Sequence, residues 1–229
     1  MKIAILDLTE HPEDLLNGMP PVGTQIIAWL SPFMAGDDLV SYAVNAKGEA
    51  LPEVGDFDGL LVSGSETGVY DDTAWNEPLR ALLKQTKAAA KPIFGICYGH
   101  QIMADTFGGK AEKAEIGKVV GARTFLAADG PLDAHVWHQD QVTQIPPGAT
   151  VTMSADHCPV GALDYDFPAK SVQFHPEYTQ DHLEELFRRG RDLFLRGEEA
   201  DDAVRSFGEA DVARDLMARE TAAFFHAHR

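Results

Sequence analysis

The sequence predicts an α/β protein: a mostly parallel central sheet flanked by helices, with a small antiparallel excursion. Three observations carry that expectation. Apolar runs of strand length at residues 2–8, 57–64 and 92–97 read as strands buried on both faces, as in a parallel sheet. Helical patterns separate them, which implies right-handed crossover connections. Between Gly117 and Phe174 the texture changes to short strands divided by turns.

Taken in order, Met1-Lys2-Ile3-Ala4-Ile5-Leu6-Asp7 reaches an acidic residue after only four apolar ones. It lacks the apolar stretch and small-residue cleavage site of a secretory signal, and reads as a first strand. Val22–Phe33 is expected to be a helix and Leu39–Val44 a strand. Phe57–Gly64 is a buried strand ending in a glycine-bearing loop. Ala74–Lys91 places Trp75, Leu79, Leu82 and Leu83 on one side of a helix that Pro92 stops. Pro92–Cys97 is a strand running straight into a helix at Tyr98–Ala104, which Gly108-Gly109 closes. Four strands follow, at Val119–Leu126, Ala134–Trp137, Thr150–Met153 and Lys170–Phe174. The last fifty residues read as helical, with Thr179 a cap before Leu183, Leu186, Phe187 and Phe194. No repeat or linker divides the chain, so one domain is expected over residues 1–229, with a C-terminal helical extension from about 180 to 229.

Bulk composition narrows the function. The 229 residues are 45% hydrophobic and 24% charged, with no apolar run long enough for a membrane span. A net charge of −17, from 36 acidic and 19 basic residues, would repel phosphate backbones and anionic lipid. Neither nucleic acid nor membrane is therefore expected as a partner. Two cysteines, Cys97 and Cys158, do not make a disulfide framework, and a reducing cytoplasm is the natural setting. His135, His138, His157 and Cys158 match no closed tetrahedral spacing, so no metal site is expected.

Gly95-Ile96-Cys97-Tyr98-Gly99 has the form of a nucleophile elbow. A nucleophile on a sharp strand-to-helix turn sits in a strained conformation, and side chains two residues to either side collide with neighbours unless they are glycine. The turn places the sulfur by a helix N-terminus, where the dipole favours thiolate, the reactive form. Cys158, in Asp156-His157-Cys158-Pro159, has no such frame and reads as a buried small hydrophobe. The proton carrier best placed by the sequence is His175, in Val172-Gln173-Phe174-His175-Pro176-Glu177. Residues two apart on an extended segment share a side, so Glu177 can hold the imidazole in one tautomer and stabilise its protonated form.

Gly95-Ile96-Cys97-Tyr98-Gly99-His100-Gln101 together with Gln173-Phe174-His175-Pro176-Glu177 resembles the paired signatures of the class I, or triad, glutamine amidotransferases. Val136-Trp137-His138-Gln139-Asp140-Gln141-Val142 is similar to a segment of the amidotransferase domain of GMP synthetase, and the likeness covers roughly residues 1 to 190. The resemblance implies a flavodoxin-like three-layer fold and no cofactor. It also implies that Cys97 attacks the side-chain amide of glutamine, His175 passes a proton to the departing ammonia, and Glu177 orients His175. By the same analogy the oxyanion is held by the N–H of Tyr98 and one from the Gly64-Ser65 loop, while Gln101, Trp137, Gln139 and Asp140 lie near the substrate. One departure stands out: the family loop commonly carries proline where this chain has Glu66 in Gly64-Ser65-Glu66, which leaves the loop less preorganised and lets Glu66 reach toward the site.

The fate of the nitrogen stays open. About fifty residues after His175-Pro176-Glu177 cannot supply a nucleotide-binding synthetase domain. Either a separate synthetase subunit accepts ammonia, or the protein is a stand-alone hydrolase of γ-glutamyl amides or peptides. The alternative of another class is a catalytically silent binding or regulatory module. A related cysteine fold in which histidine directly follows the cysteine fits less well, because Tyr98 fills that place.

Overall fold

The computed structural model describes every residue from Met1 to Arg229. The first half alternates strands and helices: β1 (Lys2–Asp7), the short α1 (Glu13–Leu16), α2 (Val22–Leu30), β2 (Asp38–Ala43), α3 (Val44–Lys47), β3 (Gly59–Val62), α4 (Asn76–Ala88), β4 (Ile93–Ile96) and α5 (Tyr98–Thr106). A strand-rich stretch follows: β5 (Lys110–Lys113), β6 (Val119–Ala127), β7 (Gly130–His138), β8 (Asp140–Gln144), β9 (Ala149–Ala155), β10 (Cys158–Tyr165) and β11 (Ala169–Val172). Helices α6 (Gln180–Gly190), α7 (Gly197–Phe207) and α8 (Arg214–Ala227) complete the chain.

Nine strands form one sheet in the order β2-β1-β3-β4-β11-β10-β9-β6-β7, with β5 and β8 as a separate antiparallel pair. The pairs from β2 to β11 are parallel. Those from β11 to β7 are antiparallel, so the antiparallel excursion continues the main sheet. Neighbouring residues along the central strands point to opposite faces. Ile3, Ile5, Leu61, Phe94 and Ile96 meet Ile26 and Trp29 of α2 and Phe224 and Phe225 of α8 on one face. Ala4, Leu6, Leu60, Val62 and Ile93 meet Leu79 and Leu83 of α4 and Ile102 and Met103 of α5 on the other. This is the three-layer arrangement that strands apolar on both faces require. A smaller core joins Val120 and Ala122 of β6 to Leu183, Phe187, Ala203 and Phe207 of α6 and α7.

Several boundaries differ from the sequence expectation for local reasons. The α4 helix ends at Ala88 rather than Lys91, because Ala90 turns into the left-handed region at φ 53° before Pro92. Strand β7 begins at Gly130, four residues early, where a glycine at φ 122° closes a hairpin with β6. Strand β10 went unread: Pro159 and Gly161 disguise it, and its pairing with β9 slips between Cys158 and Leu163. Thr179 caps α6 as expected, its Oγ1 accepting the His182 N–H at 3.3 Å. No helix is long and apolar enough to cross a membrane.

Candidate active site

The carboxyl ends of β1, β3, β4 and β11 share one edge of the sheet, where open α/β sheets place their crevices. Cys97 stands there between β4 and α5, at φ 51° and ψ −102°. A non-glycine residue at positive φ is strained, and the surroundings must hold it. They do so through the two flanking glycines. A Cβ on Gly99 would lie 2.3 Å from the Val62 carbonyl oxygen, and one on Gly95 would lie 2.6 Å from the Met103 sulfur and 2.7 Å from the Gly99 backbone. The elbow is thus locked into β3 on one side and α5 on the other.

The pairing of β4 with β11 sets Ile96 opposite Val172, and Cys97 N–H donates to the Val172 carbonyl at 2.8 Å. The chain leaving β11 therefore passes directly beside Cys97. Gln173 Nε2 lies 3.5 Å from Cys97 Sγ. His175 and Glu177 project from a turn beyond the strand rather than from extended backbone, and the turn brings His175 Nδ1 within 2.7 Å of Glu177 Oε1. The His175 main chain is tied to the sheet by donating to the His135 carbonyl at 2.8 Å. Its ring stacks on Tyr178, with centroids 4.9 Å apart, and Tyr178 stacks in turn on His182 at 5.3 Å. Gly64 marks where the Cys97 and His175 side chains converge: a Cβ there would lie 3.0 Å from His175 Cε1 and 3.6 Å from Cys97 Cβ.

Burial alone would strip the proton from His175. The Glu177 carboxylate, and the Cys97 sulfur beside the ring, more than reverse this and hold its pKa well above the ordinary value. Glu177 is fully buried, with Oε2 lacking any hydrogen-bond partner. Cys158 contrasts with Cys97: it is fully buried on β10, and desolvation pushes its thiol up to about 12.

The Tyr98 N–H is the first amide of α5 and has no helical carbonyl before it to accept. Opposite it runs the loop after β3, where Ser65 Oγ lies 3.0 Å from Thr67 Oγ1 and accepts the Thr67 N–H at 3.3 Å. Glu66 Oε2 accepts the Glu10 N–H at 2.9 Å. Side-chain hydrogen bonds thus order the loop that lacks the proline, and Glu66 reaches the site as expected. Desolvation by the surrounding loops, reinforced by Glu10 and Asp7, raises the Glu66 carboxyl to about 7. The side chain still meets solvent, which limits that rise.

The remaining residues anticipated from sequence also reach this edge. Gln101 Nε2 donates to the Asp140 carbonyl at 2.9 Å and to Gln173 Oε1 at 3.1 Å, so its amide hydrogens serve the wall itself. Asp140 Oδ1 accepts the Tyr70 hydroxyl at 3.2 Å. Trp137 faces Cys97 with its carbonyl, 3.7 Å from Sγ, while its ring packs at a tilt against Phe187 and Phe194. Gln139 lines the same cavity. That cavity has a volume of about 410 Å³, and Cys97 and His175 lie in its wall. Sequence reasoning missed its outer rim, built from residues 9–25 with His182, Leu186 and Phe194. The available signal was the long Pro- and Gly-bearing connection after a first parallel strand, since such connections at the carboxyl edge form sites.

Comparison with known proteins gives the chain a family. The glutamine amidotransferase class-I family profile matches residues 38–190. The chain is 34% identical over 165 residues to a GMP synthase (glutamine-hydrolyzing) of Listeria innocua, covering 68% of this chain but 31% of that protein. The chain thus spans about a third of the length of that relative. It is 29% identical over 173 residues to gamma-glutamyl peptidase 5 of Arabidopsis thaliana, covering 69% of each. The fold matches a crystal structure of a glutamine amidotransferase from Thermotoga maritima with a TM-score of 0.76 at 15% identity, over 100% of this chain and 97% of that one. A glutamine amidotransferase structure from Methylobacillus flagellatus gives 0.70 at 21% identity, over 99% and 92%. With its elbow cysteine, its buried histidine–glutamate pair and a family match across most of its length, the chain belongs to the class I glutamine amidotransferase family.

Proposed function

We propose that this protein, acting as one domain over residues 1–229, hydrolyses the side-chain amide of glutamine or of a related γ-glutamyl compound through a thioester on Cys97. One observation carries the reading. A strained elbow cysteine lies beside a histidine whose far nitrogen is held by a buried carboxylate at 2.7 Å. Cys97 Sγ, as thiolate, attacks the amide carbon, and the displaced electron pair resides on oxygen. The Tyr98 N–H and an N–H of the Gly64-Ser65 loop stabilise that oxyanion. Collapse breaks the C–N bond, and the nitrogen leaves with a proton from His175. Water then attacks the thioester and gives a proton to His175, and the C–S bond breaks to return the thiolate and release glutamate. Glu177 keeps His175 in the tautomer that both steps need. Gln101, Trp137, Gln139 and Asp140 shape the pocket for the γ-glutamyl group.

The same chemistry serves two settings. A separate synthetase subunit would take up the ammonia, as the match to part of a GMP synthase suggests. A stand-alone γ-glutamyl peptidase needs no acceptor, a setting equally compatible with the likeness to gamma-glutamyl peptidase 5. The test is release of glutamate from glutamine and from γ-glutamyl dipeptides by the purified protein. It is paired with intact-mass detection of labelling by a diazo-ketone glutamine mimic. Turnover and a single label, both absent in Cys97→Ala, are expected. No turnover of any γ-glutamyl compound, with Cys97 unlabelled, would leave only the silent binding module.

A further inference from the structure

The cavity around Cys97 is larger than glutamine requires. Glutamine has about ten non-hydrogen atoms, and even at a whole water's share of roughly 30 Å³ each they would fill about 300 Å³. The cavity measures about 410 Å³. Its lining is of two chemical kinds. Ser65, Thr67, Gln101, Gln139 and Asp140 are polar groups suited to an amino-acid head. Leu15, Leu16, Met19, Leu186 and Phe194 are apolar.

The apolar residues are held in place by the rest of the fold. Arg189 of α6 donates to the Leu15 carbonyl at 3.0 Å and to the Asn17 carbonyl at 2.9 Å, fixing the turn that carries Leu15 and Leu16 against α6. Phe194 packs at a tilt against Trp137 with centroids 5.3 Å apart, and Trp137 against Phe187 at 5.1 Å, so the aromatic part is anchored to the strand whose Trp137 carbonyl faces Cys97. Nearby polar groups are already engaged: Lys118 Nζ donates to the Phe194 carbonyl at 2.7 Å, and His182 Nε2 lies 3.1 Å from Gln25 Nε2. Glu10, His11 and Glu66 remain at the mouth.

Resting on the hydrolase reading above, we infer that this apolar lining is a leaving-group subsite, and that the preferred substrates are γ-glutamyl amides of apolar primary amines rather than glutamine itself. In this assignment the γ-glutamyl head meets the polar residues, its amide carbon lies at Cys97 Sγ, and the alkyl or aryl substituent of the nitrogen lies along Leu15, Leu16, Met19, Leu186 and Phe194. Bond changes follow those above: the C–N bond breaks as C–S forms, and the amine departs with a proton from His175. Burying each added methylene favours the complex by about fourfold.

A homologous series isolates this effect from leaving-group chemistry. The kcat/KM values of γ-glutamyl methylamide, butylamide and hexylamide are compared with those of glutamine and of γ-glutamyl 4-aminobutylamide. A rise of at least tenfold from methylamide to butylamide is expected, with butylamide preferred over both glutamine and the ammonium-bearing analogue. Leu186→Glu should lower the butylamide-to-methylamide ratio at least tenfold, and because both rates come from one preparation the ratio is independent of how much variant folds. A flat or falling series with glutamine still cleaved would overturn the subsite and leave the hydrolase standing. Preference for the 4-aminobutylamide would overturn it in favour of the acidic mouth. Absence of turnover across the whole set, glutamine included, would take down the hydrolase reading and the subsite together.

Discussion

Replacing Glu177 by glutamine tests how the buried carboxylate works. The substitution keeps shape: a glutamine Oε1 can still accept from His175 Nδ1 at the 2.7 Å seen for Glu177, and its amide nitrogen falls where Oε2 has no partner. What it removes is charge. With charge centres about 4 Å apart and an effective dielectric near 20, the attraction between carboxylate and imidazolium is about 4 kcal/mol. At about 1.4 kcal/mol per decade this amounts to roughly three orders of magnitude in the step that needs protonated His175. Glu177 is the main influence raising the His175 pKa against the opposing pull of burial, so Glu177→Gln lowers that pKa. The sign follows directly. A raised pKa retains the proton as pH climbs, so its loss moves the basic limb of the pH–rate profile to lower pH. Glutamate release from a γ-glutamyl substrate should fall by 100- to 1000-fold across a pH series. A rate within threefold of wild type and an unshifted basic limb would refute this account of Glu177.

Three further outcomes follow from the elbow and the second cysteine. Cys97→Gly should be more stable than Cys97→Ala by about 1–2 kcal/mol in urea denaturation, reversing the usual order, because only glycine relaxes the φ 51° conformation; equal midpoints would argue against strain there. Gly99→Ala should cost about 2–3 kcal/mol and abolish activity, since its Cβ would stand 2.3 Å from the Val62 carbonyl in a central strand; an active variant of wild-type stability would show that the elbow tolerates adjustment. Iodoacetamide on the native protein near neutral pH should modify Cys97 alone, because Cys158 is buried with its thiol pushed up to about 12; rapid labelling of Cys158, seen by peptide mass, would contradict its placement on β10.

Much of this site was legible in the chain itself, and for local reasons. The elbow cysteine is readable because a strained turn between strand and helix demands glycine at positions 95 and 99, and no other common constraint spaces glycines around a cysteine in that way. The pairing of His175 with Glu177 is readable because it spans two residues, although the backbone between them turns rather than extends. The central strands are readable because burial on both faces leaves an unbroken apolar run. Strand β10 was hidden because irregular pairing lets Pro159 and Gly161 sit within it.

The sequence by itself thus singled out Cys97, His175 and Glu177 as the proposed catalytic set, since each is marked by a pattern within a few residues. Tertiary structure alone decided that β11 lies beside β4, bringing positions 97 and 175 together across some eighty residues of intervening chain. It alone decided, too, that the turn at Leu15 and Leu16 folds over to α6 and makes part of the wall of the cavity. The physical reason is the same in both cases. Strand order and the docking of a surface turn are settled by burial and hydrogen bonding between segments remote in the chain, and neither leaves a pattern in any one of them.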